Sequence, residues 1–161
     1  MDERQELQSP NIEQRIVAAE ALSQMGPDAA FAAVELVNAC ADEETVRDWA
    51  VAALEELGPP PPESLEPLAA LVSASDSLVA YWAITLLGRS GTTARFGEAN
   101  LVAALTTSSE VSRRERAAWA LGKIGADSAA SMHALEQAAI SSDARLSRLA
   151  KASLDQMRTQ N

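Results

Sequence analysis

The 161-residue chain is poor in the residues that usually carry chemistry or cross-link a fold. Its single cysteine, Cys40, rules out an intramolecular disulfide and any multi-cysteine metal site, and in "NACA" it reads as a buried small residue. Its single histidine, His133, rules out a two-histidine zinc motif. Neither a GxxxxGK[ST] loop nor a GxGxxG turn occurs, so no nucleotide-binding signature is present. No run approaches the ~20 apolar residues of a membrane span. The opening "MDERQELQ" has neither a basic nor an apolar leader segment, so a cytoplasmic protein without a signal peptide is expected. Alternating β-branched and polar stretches are missing, which argues against a sheet. Aromatics make up only 4% while hydrophobic residues make up 47%, so Ala and Leu must fill the interior. Such an interior suits helices packed closely together, because Ala combines high helix propensity with no side-chain entropy to lose.

Positive charge is scarce in one half. Residues 1–80 hold 16 Asp/Glu against three Arg, whereas residues 81–161 hold seven acids against ten Arg/Lys. An acidic front half repels nucleic acid and anionic membranes. The rear half carries the opposite bias.

What is present is a repeat. Gly26, Gly58, Gly91 and Gly125 follow one another at intervals of 32, 33 and 34 residues. Eight positions before each stands Ala18, Ala50, Ala83 or Ala117, and four before stands Leu22, Leu54, Leu87 or Leu121; Ala150 and Leu154 continue the series if Arg158 takes the glycine position. Positions −8, −5, −4 and −1 recur as i, i+3, i+4 and i+7, which is one stripe along a helix. The glycine then closes the helix in a left-handed conformation. Asn11, Glu43, Asp76, Glu110 and Asp143, fifteen positions before the anchors, are placed to cap the helix starts. Second helices are expected in "DAAFAAVELVNA" from Asp28, "ESLEPLAALVSA" from Ser64, "GEANLVAALTTS" and "DSAASMHALEQAAIS", with Pro59–Pro62 as a stiff loop. Gly122, inside a helix, predicts the close approach of another backbone. One such pair cannot bury its apolar face alone, but a stack can, so the expected fold is all-α: a right-handed α-solenoid, or α-α superhelix. The repeats run approximately 11–42, 43–75, 76–109 and 110–142, with a terminal helix at 143–158, in one domain spanning 1–161.

The segment "SRRERAAWALGKIGADSAASMHALEQAAISSDARLSRLAKASL" resembles bacterial HEAT repeats, including the HEAT-like units of phycobilisome lyases, and "TVRDWAVAALEELG" shows the same outline. The likeness extends over about 11–157. It implies that Arg47 and Arg114 bridge to acidic turn residues, and that first helices form an outer row and second helices an inner groove. Glu35, Asn38, Glu66, Asn100, Glu136 and Gln137 would then line that groove. The third copy departs from the pattern with Ala80 at the arginine position, and the first lacks the Val-Arg pair.

No catalytic constellation emerges, and no metal or cofactor is expected. His133 with Glu136 reads as a pair on a solvated helix, and "ADEE" (Ala41–Glu44) as a solvated turn. Trp49 and Trp82 share position −9 beside the core stripe. Trp119 sits at −6, where the other copies have Glu20, Ala52, Thr85 and Ala152; it is either an exposed partner anchor or a ring covered by the neighbouring first helix. Position −6 faces away from the stripe, so Thr85→Ala is expected to be nearly neutral. Arg113, Arg114, Arg116, Arg145, Arg148 and Lys151 crowd the last two repeats. These features point to a non-enzymatic protein- or peptide-binding scaffold whose partner is an acidic segment, with self-association through the acidic front half of another copy also open. Two alternatives remain at this stage: an accessory or lyase-like chromophore-binding role implied by the resemblance, and nucleic-acid binding by the basic rear repeats.

Overall fold

The computed structural model describes residues 2–159. Among them the chain forms ten α-helices and no strand, and it divides into two compact units, Met1–Pro67 and Leu68–Asn161.

In the first unit, α1 (Glu3–Glu6) precedes α2 (Ile12–Gln24), α3 (Ala33–Ala39) and α4 (Glu44–Glu56). α1 packs on α2, and α4 packs on both α2 and α3. Ala18, Leu22, Ala50 and Leu54, the repeat positions read from the sequence, are fully buried, as are Leu36 and Val37 of α3. The stripe frays in the first copy: Met25 at −1 is exposed and Ala21 at −5 half-exposed.

The second unit begins within α5 (Leu65–Leu71) and continues with α6 (Ser77–Arg89), α7 (Glu98–Thr107), α8 (Val111–Lys123), α9 (Ala129–Ala139) and α10 (Ala144–Thr159). α8 is the hub, packing against α6, α7, α9 and α10. Ala83, Leu87, Ala117, Leu121 and Ala150 are fully buried, and Leu154 nearly so. Helices α2, α4, α6 and α8 are each 13 residues long, close to the length read from caps and glycines.

Three anchor glycines adopt the left-handed conformation: Gly26, Gly91 and Gly125, at φ 56°, 59° and 66°. At Gly125 the amides of Gly125 and Ala126 donate back to the carbonyls of Gly122 and Leu121, the reciprocal pair that closes a helix C-terminus. Gly58 departs from the expectation. Leu57 already turns extended, at ψ 130°, and the four prolines that follow hold each preceding residue out of the helical region.

The caps divide by side-chain length. Asn11, Asp76 and Asp143 each accept from a backbone N–H in the first turn of their helix. Glu43 and Glu110 make no such bond, because the longer glutamate chain is poorly suited to fold back onto its own first turn. Asp28 does not start a helix either: Gly26–Ala32 is a 3-10 stretch, and α3 begins only at Ala33. Pro67 lies in the first turn of α5, where its missing N–H costs no helical bond.

Thr85 overturns the sequence expectation for position −6. It is 4% exposed, and its hydroxyl donates to the Tyr81 carbonyl one turn back. Helix α6 is buried around most of its circumference, with every residue from Val79 to Gly88 except Tyr81 buried, so the side that carries Thr85 does not face solvent. Gly122 also differs from expectation in kind. A Cβ there would lie 2.5 Å from Ser153 Oγ, so it makes room for a side chain, not for another backbone.

Candidate functional site: an aromatic–arginine cleft on the first helices

The site is built from α6, α8 and α10. Their 3.6-residue periodicity places Tyr81 on α6, Ser112, Glu115, Arg116 and Trp119 on α8, and Arg145 and Leu149 on α10 around one cleft of about 180 Å³. On α8 the lining residues recur at i, i+3, i+4 and i+7, a single helical face.

Its centre is Arg116. The guanidinium carbon lies 4.6 Å from the centroid of the Tyr81 ring and 5.0 Å from that of Trp119, within the range of cation–π attraction. Nη2 of Arg116 also donates to the Tyr81 hydroxyl. Tyr81 meets Trp82 edge-on at 5.7 Å, and Arg89 lies over the Trp82 ring at 5.6 Å. Burial, together with the positive charge of Arg116, makes the Arg89 guanidinium easier to deprotonate than usual. Glu115 is held by Arg145 at 3.4 Å.

Trp119 resolves the alternative left open by its sequence position. The ring is half-buried, not free, because Gly88 on α6 leaves the space it fills: a Cβ on Gly88 would come within 2.3 Å of Trp119 Cζ3. One part of the ring is thus seated on the neighbouring first helix while another lines the cleft.

The other basic candidates separate. Arg113 pairs with Glu110 at 3.4 Å and its side chain is only 13% exposed. Arg114 donates to the Leu105 carbonyl near the end of α7, a structural bond to backbone rather than the acidic bridge the resemblance implied. Arg47 is half-buried and forms no ion pair among the described residues. The bridge occurs instead at Arg15, which grips both carboxylate oxygens of Asp42 at 2.7 and 2.9 Å. Arg148 and Lys151 are exposed on α10.

The second-helix candidates do not converge on one feature. Glu35 is tied to Arg4 at 2.8 Å and is 12% exposed, so it is already occupied by its own chain. Asn38 and Glu66 are exposed in the first unit, and Glu136 and Gln137 are exposed on α9. Asn100 donates to the Ala69 carbonyl and lines a polar cleft of about 360 Å³ with Ser75, Thr107, Ser108 and Arg113. His133 and Glu136 both face solvent, and among the described residues no group of three or more His, Cys, Asp or Glu could hold a metal. None of the described helices is long and apolar enough to cross a membrane.

Sequence reasoning missed Tyr81, Ser112, Glu115 and Leu149. One signal was available. Arg116 occupies position −9, the column of Trp49 and Trp82, and a cation in an aromatic column invites stacking.

The architecture defines an all-α helical-repeat protein of the α-α superhelix class. Comparison makes this specific. The sequence profile described as HEAT repeats matches residues 4–88, and that of the PBS lyase HEAT-like repeat matches residues 113–141. The chain belongs to the HEAT-repeat family. Among solved structures it is similar to an engineered protein (TM-score 0.65, 21% identity, covering 98% of this chain and 78% of that one). It is also similar to a designed armadillo repeat protein in complex with the peptide (KR)4 (TM-score 0.68, 17% identity, 96% and 80%). A third is the complex of CpcE and CpcF of phycocyanin lyase from Nostoc sp. PCC7120 (TM-score 0.66, 23% identity). There the match covers 99% of this chain but 64% of the other. These likenesses show the fold. No curated protein matches the chain significantly.

Proposed function

We propose that the chain is a non-catalytic scaffold that binds a protein or peptide segment, with the Trp119 cleft as its anchor point. The observation that carries this reading is the composition of the cleft. Trp, Tyr and Arg are the residue types that dominate binding hot spots, and here all three meet, partly buried, at one surface recess. At about 180 Å³ the recess is smaller than the ~300–1,000 Å³ typical of small-molecule sites. It holds no hydroxyl or thiol beside a histidine base, the arrangement that nucleophilic catalysis would use. A helical-repeat neighbour seats a peptide, so the architecture is compatible with one.

The engagement of Arg113 and Arg114 within the chain takes two of the six clustered cations away from any phosphate track, which favours a protein partner over nucleic acid. The test is fluorescence anisotropy of the full chain with labelled acidic, basic and apolar peptides. Saturable binding of one class is expected. Absence of saturation for every class up to about 1 mM, a free energy weaker than about −4 kcal/mol, refutes the reading.

A further inference from the structure

We propose that the cleft between Tyr81, Arg116 and Trp119 receives a carboxylate side chain from an acidic segment of a partner protein. This rests on the peptide-binding reading above and assigns the chemistry of its anchor.

Arg116 has five N–H donors. The Tyr81 hydroxyl takes one, and among the described residues no carboxylate lies within ion-pair distance of it. Glu115, its immediate neighbour in the same cleft, is turned instead to Arg145. Both the Tyr81 and the Trp119 ring lie within cation–π range of the guanidinium. The donors not taken by Tyr81 remain for a ligand, and a guanidinium can bind a carboxylate through two parallel hydrogen bonds. A guanidinium fixed in this way loses little freedom on binding.

The surrounding charge agrees. Arg116 and Arg145 line the cleft against the single Glu115, and Arg148 stands exposed one turn beyond Arg145. A basic segment would be repelled here. The apolar walls, Leu149 and the Trp119 ring, suit the methylene stem of a glutamate, and the volume admits about one side chain.

The experiment titrates the full chain with fluorescein-labelled oligoglutamate, oligolysine and oligothymidylate at about 50 mM salt, where screening is modest. Oligoglutamate is expected to bind, and Arg116→Gln to weaken it at least ~10-fold, the loss of one charge-assisted pair. Arg158→Gln, at a paired arginine outside the cleft, is expected to leave affinity unchanged. Ser112→Glu is the second variant. Ser112 is exposed and stands four residues before Arg116 on α8, so a glutamate there supplies the missing carboxylate from within the chain. It is expected to abolish binding while melting no lower than the wild type. Oligoglutamate affinity unchanged by both Arg116→Gln and Ser112→Glu overturns the assignment. Tighter binding of oligothymidylate or oligolysine than of oligoglutamate overturns it too, and oligolysine binding leaves the peptide-scaffold reading standing. If neither charged peptide nor the apolar peptide of the previous test binds, both fail.

Discussion

Replacing Gly88 with alanine puts a methyl group where Trp119 already sits. The added carbon would lie 2.3 Å from Trp119 Cζ3 and 2.8 Å from Cη2, far inside the ~3.5–4.0 Å of a relaxed carbon contact. Two effects oppose each other. Alanine in a helix interior gains about 1 kcal/mol over glycine, and overpacking costs about 1–3 kcal/mol or more. The obstacle here is a rigid indole, seated between two helices with Arg116 over it, so the upper end of the range applies and the net loss is about 2 kcal/mol. For a chain of 161 residues this corresponds to a fall in Tm of about 4–8 °C. Thermal and urea unfolding measure the loss, and a red shift in tryptophan emission reports the displaced ring. In a Trp119→Leu background the clash is relieved, so Gly88→Ala should become neutral or stabilising, a coupling that a double-mutant cycle isolates. A Gly88→Ala protein more stable than wild type would refute the packing of Trp119 on α6. Gly122→Ala should destabilise as well: its new carbon meets Ser153 Oγ at 2.5 Å and Cβ at 2.8 Å, and Ser153 is buried with its hydroxyl donated to the Ala118 carbonyl, so only the Gln156 end can move away.

Three further outcomes follow from the same packing. Leu121→Ala, at a fully buried position, should lower unfolding free energy by about 2–5 kcal/mol; Thr85→Ala, buried but bonded only within its own helix, should cost about 1 kcal/mol, and equal losses would contradict the core described. Asp76→Ala should cost about 1 kcal/mol by removing a cap that accepts from Leu78 and Val79, whereas Glu43→Ala, exposed and capping nothing, should stay within about 0.5 kcal/mol of wild type in urea titration. The hydrogen bond from Arg15 holds the Asp42 carboxyl below its ordinary value, against the opposing effect of burial and with help from the Glu43 amide. That stabilisation is complete above about pH 4, the ordinary carboxylate value, and is lost as pH falls through the depressed folded-state value. The Tm difference between wild type and Asp42→Asn should therefore narrow below about pH 4, and a difference constant down to about pH 2 would refute the pairing.

The site was half legible. Trp119 stood out because its column otherwise holds small or polar residues, and Arg116 was noted as one charge in a basic cluster. That cluster proved to be several different things: Arg114 bonds a backbone carbonyl, Arg113 folds onto Glu110, and Arg116 lies within cation–π range of the Tyr81 and Trp119 rings. A one-dimensional count of charge cannot separate these, because the partner of Arg116, Tyr81, lies 35 residues away on another helix. Thr85 was misread for a related reason. Helical periodicity assigns one buried stripe per helix, but α6 is buried on nearly every side.

Sequence alone determined the repeat, its period, the lengths of the first helices, the Ala and Leu positions that fill the core and three of the four glycine turns. Each of these follows from local preferences, 3.6-residue periodicity and the steric freedom of glycine, and needs no knowledge of what lies across the interface. Tertiary structure alone decided which exposed-seeming positions were covered, which arginines were already engaged, and that Gly88 on one helix makes the seat for Trp119 on the next. Those are properties of pairs of surfaces, fixed only when helices 30 or more residues apart are brought within van der Waals contact.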